Sequence, residues 1–203
     1  MALTPDVRIA NVFHSVARNR EEAVAHDQFH LDALINEIPW RQETYKLYGK
    51  QGPIPRLTAW FGDVAYRWSG VTQAPQALTH PSMLFALREA EAFAGVTFNA
   101  CLANYYRNGL DSVSWHADNE VGVGPIVASV SFGGACTFQM RRVENPSATW
   151  ETKLGAGDLL VMGEGVQHEW VHQIPKRAKV IAPRVNLTFR MMEPVGKTTS
   201  RKL

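Results

Sequence analysis

The stretch Arg184-Val185-Asn186-Leu187-Thr188-Phe189-Arg190 alternates polar and apolar residues without a break. An extended chain turns successive side chains to opposite faces. Val185, Leu187 and Phe189 therefore share one face of a strand, and Arg184, Asn186, Thr188 and Arg190 share the other. Two readings fit that polar face. It is the solvated side of a half-exposed strand, or it is the wall of an anion site. For the second reading, the arginine Cα atoms lie about 20 Å apart at ~3.3 Å per residue. Side chains leaning inward by ~6–7 Å each leave the guanidinium forks roughly 6–8 Å apart, a span suited to a short dicarboxylic acid.

The sequence around this strand reads as a β core. Runs at 97–105, 112–118, 125–132, 135–141, 149–154, 158–162, 168–173 and 184–191 have the spacing of a sandwich or barrel. Residues 1–38 read as helical, with Leu31, Leu34, Ile35 and Ile38 at helical spacing and Pro39 as the stop. From Trp40 to Ser69 aromatic and basic residues are dense, and Gly49, Gly52, Pro53 and Pro55 cut the segment into short strands and turns. Pro81 opens a helix that Gly95 ends. The simplest organisation is one α+β domain. It has a helical part (1–38), an aromatic segment with a helix (39–96), a β core (97–192) and a basic tail (193–203) carrying Lys197, Arg201 and Lys202.

Composition bounds the class. At 203 residues, 45% hydrophobic and 20% charged, the chain has the make-up of a soluble globular protein with a sizeable core. A net charge of +2 and a pI of about 8.6 permit a nucleic-acid partner without demanding one. Cys101 and Cys136 each sit in an apolar run, so they read as buried small hydrophobes in a reducing compartment, not as a disulfide or zinc pair. No apolar run is long enough for a bilayer and no signal-peptide pattern opens the chain. The expectation is a monomer away from membranes, cytoplasmic, or nuclear in a eukaryote.

Two motifs compete for a metal. In Trp115-His116-Ala117-Asp118, a strand presents His116 and Asp118 on one face, where they can share an ion. A third ligand must come from elsewhere, and His168-Glu169-Trp170-Val171-His172 offers candidates. That segment also spells the zinc-peptidase pattern, which works only on a helix. Gly163, Gly165 and Pro175 bracket it, and Trp170 and Val171 favour a strand. On a strand His168 and His172 stand roughly 13 Å apart, too far to share an ion, so only one is a ligand. Two histidines and one carboxylate with open positions define the non-heme Fe(II) oxygenase site. Many such enzymes use 2-oxoglutarate, a short dicarboxylic acid of the kind that the terminal strand is suited to hold.

Together, His116-x-Asp118, His172 about fifty residues on, and the Arg184 to Arg190 stretch resemble the AlkB family of Fe(II)- and 2-oxoglutarate-dependent dioxygenases, which repair alkylated nucleobases. The resemblance covers about residues 38–192. Pro55-Arg-Leu-Thr-Ala-Trp60-Phe-Gly and Ala128-Ser-Val-Ser-Phe-Gly133 are most similar to the eukaryotic homologues acting on DNA and their bacterial relatives. The resemblance implies a double-stranded β-helix (jelly-roll) core with N-terminal helices and an aromatic nucleotide-recognition lid. It implies His116, Asp118 and His172 as ligands of Fe(II), with O2 as oxidant. Arg184 and Arg190 hold the carboxylates of 2-oxoglutarate, Arg184 the distal one, and Asn104 and Tyr106 contact the same co-substrate. Asn186 is a further contact to it or to water at the iron. His168 has no ligand role.

The implied activity is oxidative demethylation of N1-methyladenine and N3-methylcytosine in DNA or RNA, with release of formaldehyde. A base must leave the duplex to reach the iron. By resemblance Trp68 stacks on it, Tyr66 supplies another wall, and Glu120 meets its exocyclic nitrogen. Both methylated bases are cationic near neutral pH, so a nearby carboxylate favours them over uncharged bases. Tyr48, at a hairpin tip, stands where some relatives push a wedge into the duplex. Arg41, Lys46, Lys50, Arg56, Arg141 and Arg142 are candidate phosphate contacts. The competing readings are an oxygenase of the same core acting on RNA, lipid or protein, a zinc peptidase using His168, Glu169 and His172, and a binding module without metal chemistry.

Overall fold

The computed structural model describes residues 4–193 except Tyr48, Ser69 and Ile181, and only the backbone of Lys46, Leu47 and Trp68. In chain order the elements are β1 (Val7–Asn11), α1 (Arg20–Glu37), β2 (Thr44–Leu47), β3 (Lys50–Pro53), β4 (Leu57–Gly62), β5 (Tyr66–Trp68), β6 (Val71–Gln73) and α2 (Pro81–Ala94). There follow β7 (Ala100–Tyr106), β8 (Val113–His116), β9 (Val123–Gly133), β10 (Cys136–Arg142), β11 (Thr149–Leu154), β12 (Asp158–Met162), β13 (Trp170–Ile174) and β14 (Arg184–Met192).

Two antiparallel sheets form the β core. The major sheet runs β1-β12-β9-β14-β7-β4 and the minor sheet β11-β10-β13-β8. β14 lies inside the major sheet, with Asn186 paired to Ser131 of β9 and to Asn104 of β7. Both of its faces are covered. Val185, Leu187 and Phe189 join Leu31 and Leu34 of α1 and Met83, Ala86 and Ala90 of α2 in one apolar cluster. The opposite face turns toward the minor sheet, and Arg184 and Arg190 on it are buried. The reading of a half-exposed strand fails because the helices cover one face and the second sheet the other. The space between the sheets is filled by Val127, Phe138, Met140, Leu160, Met162 and Trp170.

α2 begins and ends where the sequence signals predict, and α1 stops before Pro39 as expected but starts at Arg20, well inside the 1–38 segment read as helical. The Asn19 side chain accepts from the Glu22 N–H at 2.9 Å, and Glu21 and Glu22 sit in the first turn of α1, where acidic groups favour the helix dipole. α2 has Pro81 in its first turn and ends at Gly95, whose φ of 76° is the left-handed conformation that glycine adopts without strain.

Two expectations change. Residues 7–11 are a strand, not part of a helical segment. They pair antiparallel with β12, Val7 opposite Met162 and Asn11 opposite Asp158, and so cover an edge of the major sheet that would otherwise expose unpaired backbone. The run at 168–173 divides: Val166–Glu169 is a single helical turn, and the strand starts at Trp170. Gly165, with φ of 83°, lets the chain turn there. Tyr48 and the tail beyond Glu193 lie outside the described residues.

Candidate active site

Strand pairing assembles the metal-ligating set. His172 of β13 stands directly opposite His116 of β8, with ring centroids 4.2 Å apart. Asp118 lies just past the end of β8. Its Oδ1 is 3.8 Å from His116 Nε2, and its Oδ2 is 3.9 Å from His172 Nε2. These separations are too long for hydrogen bonds and leave a gap rimmed by three donors. The ligand atoms lie within 4.8 Å of one another, and this is the one such group of His, Cys, Asp and Glu among the described residues.

The protonation states suit a cation. His116 Nδ1 is 2.8 Å from the Ser114 carbonyl, which can only accept, so Nδ1 carries the proton and Nε2 presents its lone pair. Burial, then the neighbouring His116, brings His172 down to about 3 and keeps its imidazole neutral. Burial pushes the Asp118 carboxyl up. Arg190, with help from His172 and His116, outweighs that and holds it at about 2.

Arg190 is the buried hub of this end of the site, at 0% exposure. Its Nη2 lies 3.5 Å from Asp118, and its Nη1 donates to Tyr66 Oη at 2.7 Å. The Tyr66 hydroxyl donates in turn to Glu120 Oε1 at 2.6 Å. Burial raises the Tyr66 pKa, so the hydroxyl keeps its proton for that bond. Tyr66 is 2% exposed and stacks on Trp60 at 4.3 Å. It is therefore a support beneath Glu120 and not an open wall for a base, because both ring and hydroxyl are already engaged.

Arg184 marks the other end of the same inward face. Its Nη2 donates to Ser131 Oγ at 2.9 Å, and its guanidinium carbon sits 5.2 Å from the Tyr106 ring centre. Nε and Nη1 of Arg184 and Nε of Arg190 are buried without hydrogen-bond partners in the unliganded chain. Unpaired buried guanidinium N–H groups are the complement that a carboxylate needs. Arg184, Arg190, Asn104, Tyr106, His116, Asp118 and His172 all line one cavity, which brings the metal and co-substrate candidates together. Asn186 lines it too, but its amide is committed. Nδ2 donates to Ser129 Oγ and the Val130 carbonyl, while Oδ1 accepts from Thr188.

Some residues stand elsewhere than the sequence suggests. Arg56 is buried in the cavity wall, with Nε donating to Asn104 Oδ1 at 2.7 Å, and does not sit on the surface as a phosphate contact. Only strand pairing reveals this, because Thr58 falls opposite Asn104 and brings Arg56 to the same edge. Ser129 and Ser131, part of the 128–133 stretch, are the hydroxyl acceptors of Asn186 and Arg184, roles that only the sheet pairing reveals. Arg142 pairs with Glu169 at 3.0 Å, and Arg141 lies over the Trp115 ring. His168 and Glu169 face solvent on the single helical turn, so the zinc-peptidase reading lacks the helix it requires. The backbone of Trp68 lies on β5, but its side chain, like Tyr48, is outside the described residues. No described helix is long and apolar enough to cross a membrane.

Comparisons with known proteins agree with this geometry. Residues 10–190 match the family described as the 2OG-Fe(II) oxygenase superfamily. Alpha-ketoglutarate-dependent dioxygenase alkB homolog 3 of Homo sapiens is 40% identical over 174 residues, covering 81% of this chain and 61% of that protein. DNA oxidative demethylase ALKBH2 of Mus musculus is 37% identical over 163 residues, covering 75% and 68%. The chain thus spans about three fifths of the length of the alkB homolog 3 relatives it matches. The solved structure titled "The structure of OsALKBH1" superposes with a TM-score of 0.60 at 17% identity over 94% of this chain and 100% of that one, a likeness of fold. With the family match over nearly its whole length and the two-histidine, one-carboxylate cluster between its sheets, this chain belongs to the 2OG-Fe(II) oxygenase superfamily and, within it, to the AlkB family.

Proposed function

We propose that the protein removes N-alkyl groups oxidatively from nucleobases, with N1-methyladenine and N3-methylcytosine in DNA as principal substrates and RNA as a further one. His116, Asp118 and His172 hold Fe(II). Arg184, Asn104 and Tyr106 hold the distal carboxylate of 2-oxoglutarate, and Arg190 acts at the end nearer the metal. The observation that carries the substrate is Glu120. It is two residues beyond Asp118 and anchored by Tyr66; its Oε2 makes no hydrogen bond, with Arg190 Nη1 3.9 Å away. A carboxylate beside the metal group favours a base whose methylation has made it cationic. The relatives named alpha-ketoglutarate-dependent dioxygenase alkB homolog 3 and DNA oxidative demethylase ALKBH2 support the same reading.

When bound, Fe(II) and 2-oxoglutarate supply a two-electron oxidation by O2. The N-methyl group becomes N-hydroxymethyl, which loses formaldehyde and restores the base, while the co-substrate leaves as succinate and carbon dioxide. The chain's own contribution is placement. Arg184 and Arg190 fix the acid along β14, the neutral His172 and ionised Asp118 present lone pairs, and Glu120 sets the base by its exocyclic nitrogen. Nearby apolar side chains limit water.

The test is incubation with methylated single- and double-stranded DNA and RNA oligonucleotides, Fe(II), ascorbate and 2-oxoglutarate. A mass loss of one methylene per lesion with matching formaldehyde is expected. Unchanged oligonucleotide mass alongside normal 2-oxoglutarate turnover overturns the substrate assignment.

A further inference from the structure

The single helical turn Val166–Glu169 carries His168 and Glu169 of the peptidase-like motif, and the metal site takes only His172 from that motif. Gln167, in the middle of the turn, is 4% exposed, unusual for an uncharged amide unless it is bonded. Its Oε1 accepts from the backbone N–H of Asp118 at 2.8 Å, and its Nε2 lies 3.3 Å from Met162 Sδ. A flipped amide would face the N–H with a donor, so the orientation is set by its partners.

The bond spans two otherwise separate elements. Asp118 has left β8, whose ladder ends at His116, so its N–H has no strand partner. Gln167 precedes β13 by three residues, and His172 lies on that strand. One side chain therefore links the loop bearing the carboxylate ligand to the segment leading into the second histidine. The same loop carries Glu120, which reaches Tyr66.

We infer that Gln167 is a positioning residue for the metal centre. By accepting from the Asp118 N–H, it holds the carboxylate loop in ligating register with His116 and His172 before a metal arrives. This rests on the reading of His116, Asp118 and His172 as metal ligands.

The test uses metal-free full-length protein titrated with Mn(II) by calorimetry. Q167M removes the acceptor at similar volume, and Q167E keeps an acceptor facing the same N–H. Mn(II) dissociation constants about 10–100-fold weaker are expected for Q167M, with most of the loss recovered in Q167E. Unchanged Mn(II) affinity in Q167M, even with a lowered melting temperature, overturns the inference and leaves Gln167 a packing residue. H116A runs in parallel. If it too binds Mn(II) normally, the ligand assignment has failed instead. Should Q167M not fold, amide hydrogen exchange on the wild type decides. The Asp118 N–H is expected to be protected in the metal-free protein, and exchange at the rate of an open loop overturns the inference.

Discussion

Arg184 and Arg190 lie on one face of one strand but serve different partners. Arg190 is bound to Tyr66 and Asp118, whereas Arg184 keeps two guanidinium nitrogens unpaired. R184M retains the apolar stem and removes the fork. Charged hydrogen bonds contribute about 1.5–3 kcal/mol each, so 2-oxoglutarate should bind roughly ten- to a hundredfold more weakly to the Mn(II)-loaded protein. Calorimetry at constant Mn(II) saturation checks this. Y66F removes the hydroxyl that bridges Arg190 and Glu120 and leaves the buried Arg190 and the half-buried Glu120 each short of a partner. A stability loss of about 1–3 kcal/mol in urea unfolding is expected, with slower formaldehyde release. E169Q addresses the peptidase pattern. Glu169 is exposed and, among the described residues, its side chain pairs only with Arg142, so metal affinity and formaldehyde release should match the wild type. A hundredfold loss of either would restore the peptidase-like motif to consideration.

At the scale of elements, α1 is fastened to the sheet by more than apolar contact. Asp27 accepts from the Gly133 N–H at 3.0 Å, at the end of β9 where Gly133 pairs with Arg184. Burial raises the Asp27 pKa, opposed in part by that N–H. A carboxyl whose pKa is higher folded than unfolded contributes stability that is fully present below its unfolded value and lost as pH rises through the folded one. D27N does not titrate, so its urea midpoint relative to wild type should be more favourable at pH 7 than at pH 4. An equal difference at both pH values would show that burial of the charge is not what governs the site. Gly133 itself has φ of 83°, and an added Cβ would lie 2.6 Å from the Pro183 carbonyl oxygen. The β9–β10 turn, packed against Pro183 just before β14, therefore tolerates no side chain at Gly133 without movement.

At the scale of the molecule, the site is a seam between two sheets, with candidate ligands from β8, β13 and the loop after β8. Ligands that bind only the folded protein stabilise it, by about 2.7 kcal/mol at a hundredfold excess over the dissociation constant. For a chain of this size that corresponds to a melting temperature about 5–10 °C higher. Mn(II) and 2-oxoglutarate without oxygen should together produce such a shift, reversed by a chelator. D118A, assayed by the same melt, should abolish the Mn(II) part.

Legible along the chain are the alternating strand from Arg184 to Arg190, most of the β runs after Ala100, the helix boundaries at Pro39, Pro81 and Gly95, and the closeness of His116 to Asp118, although Asp118 lies in the loop past β8 and not on the strand. These are local matters of period, backbone restriction and capping, so they are readable along the chain. Long-range packing is what covers both faces of β14, sets His172 opposite His116 and pairs residues 7–11 along a sheet edge. It also took Arg56 off the surface, put Tyr66 beneath Glu120 and linked Gln167 to Asp118. Each of these depends on contacts between segments far apart in the chain, many of them set by strand register. A shift by one residue turns every side chain of a strand to the opposite face, and no local pattern in the sequence specifies which distant partner sets that register.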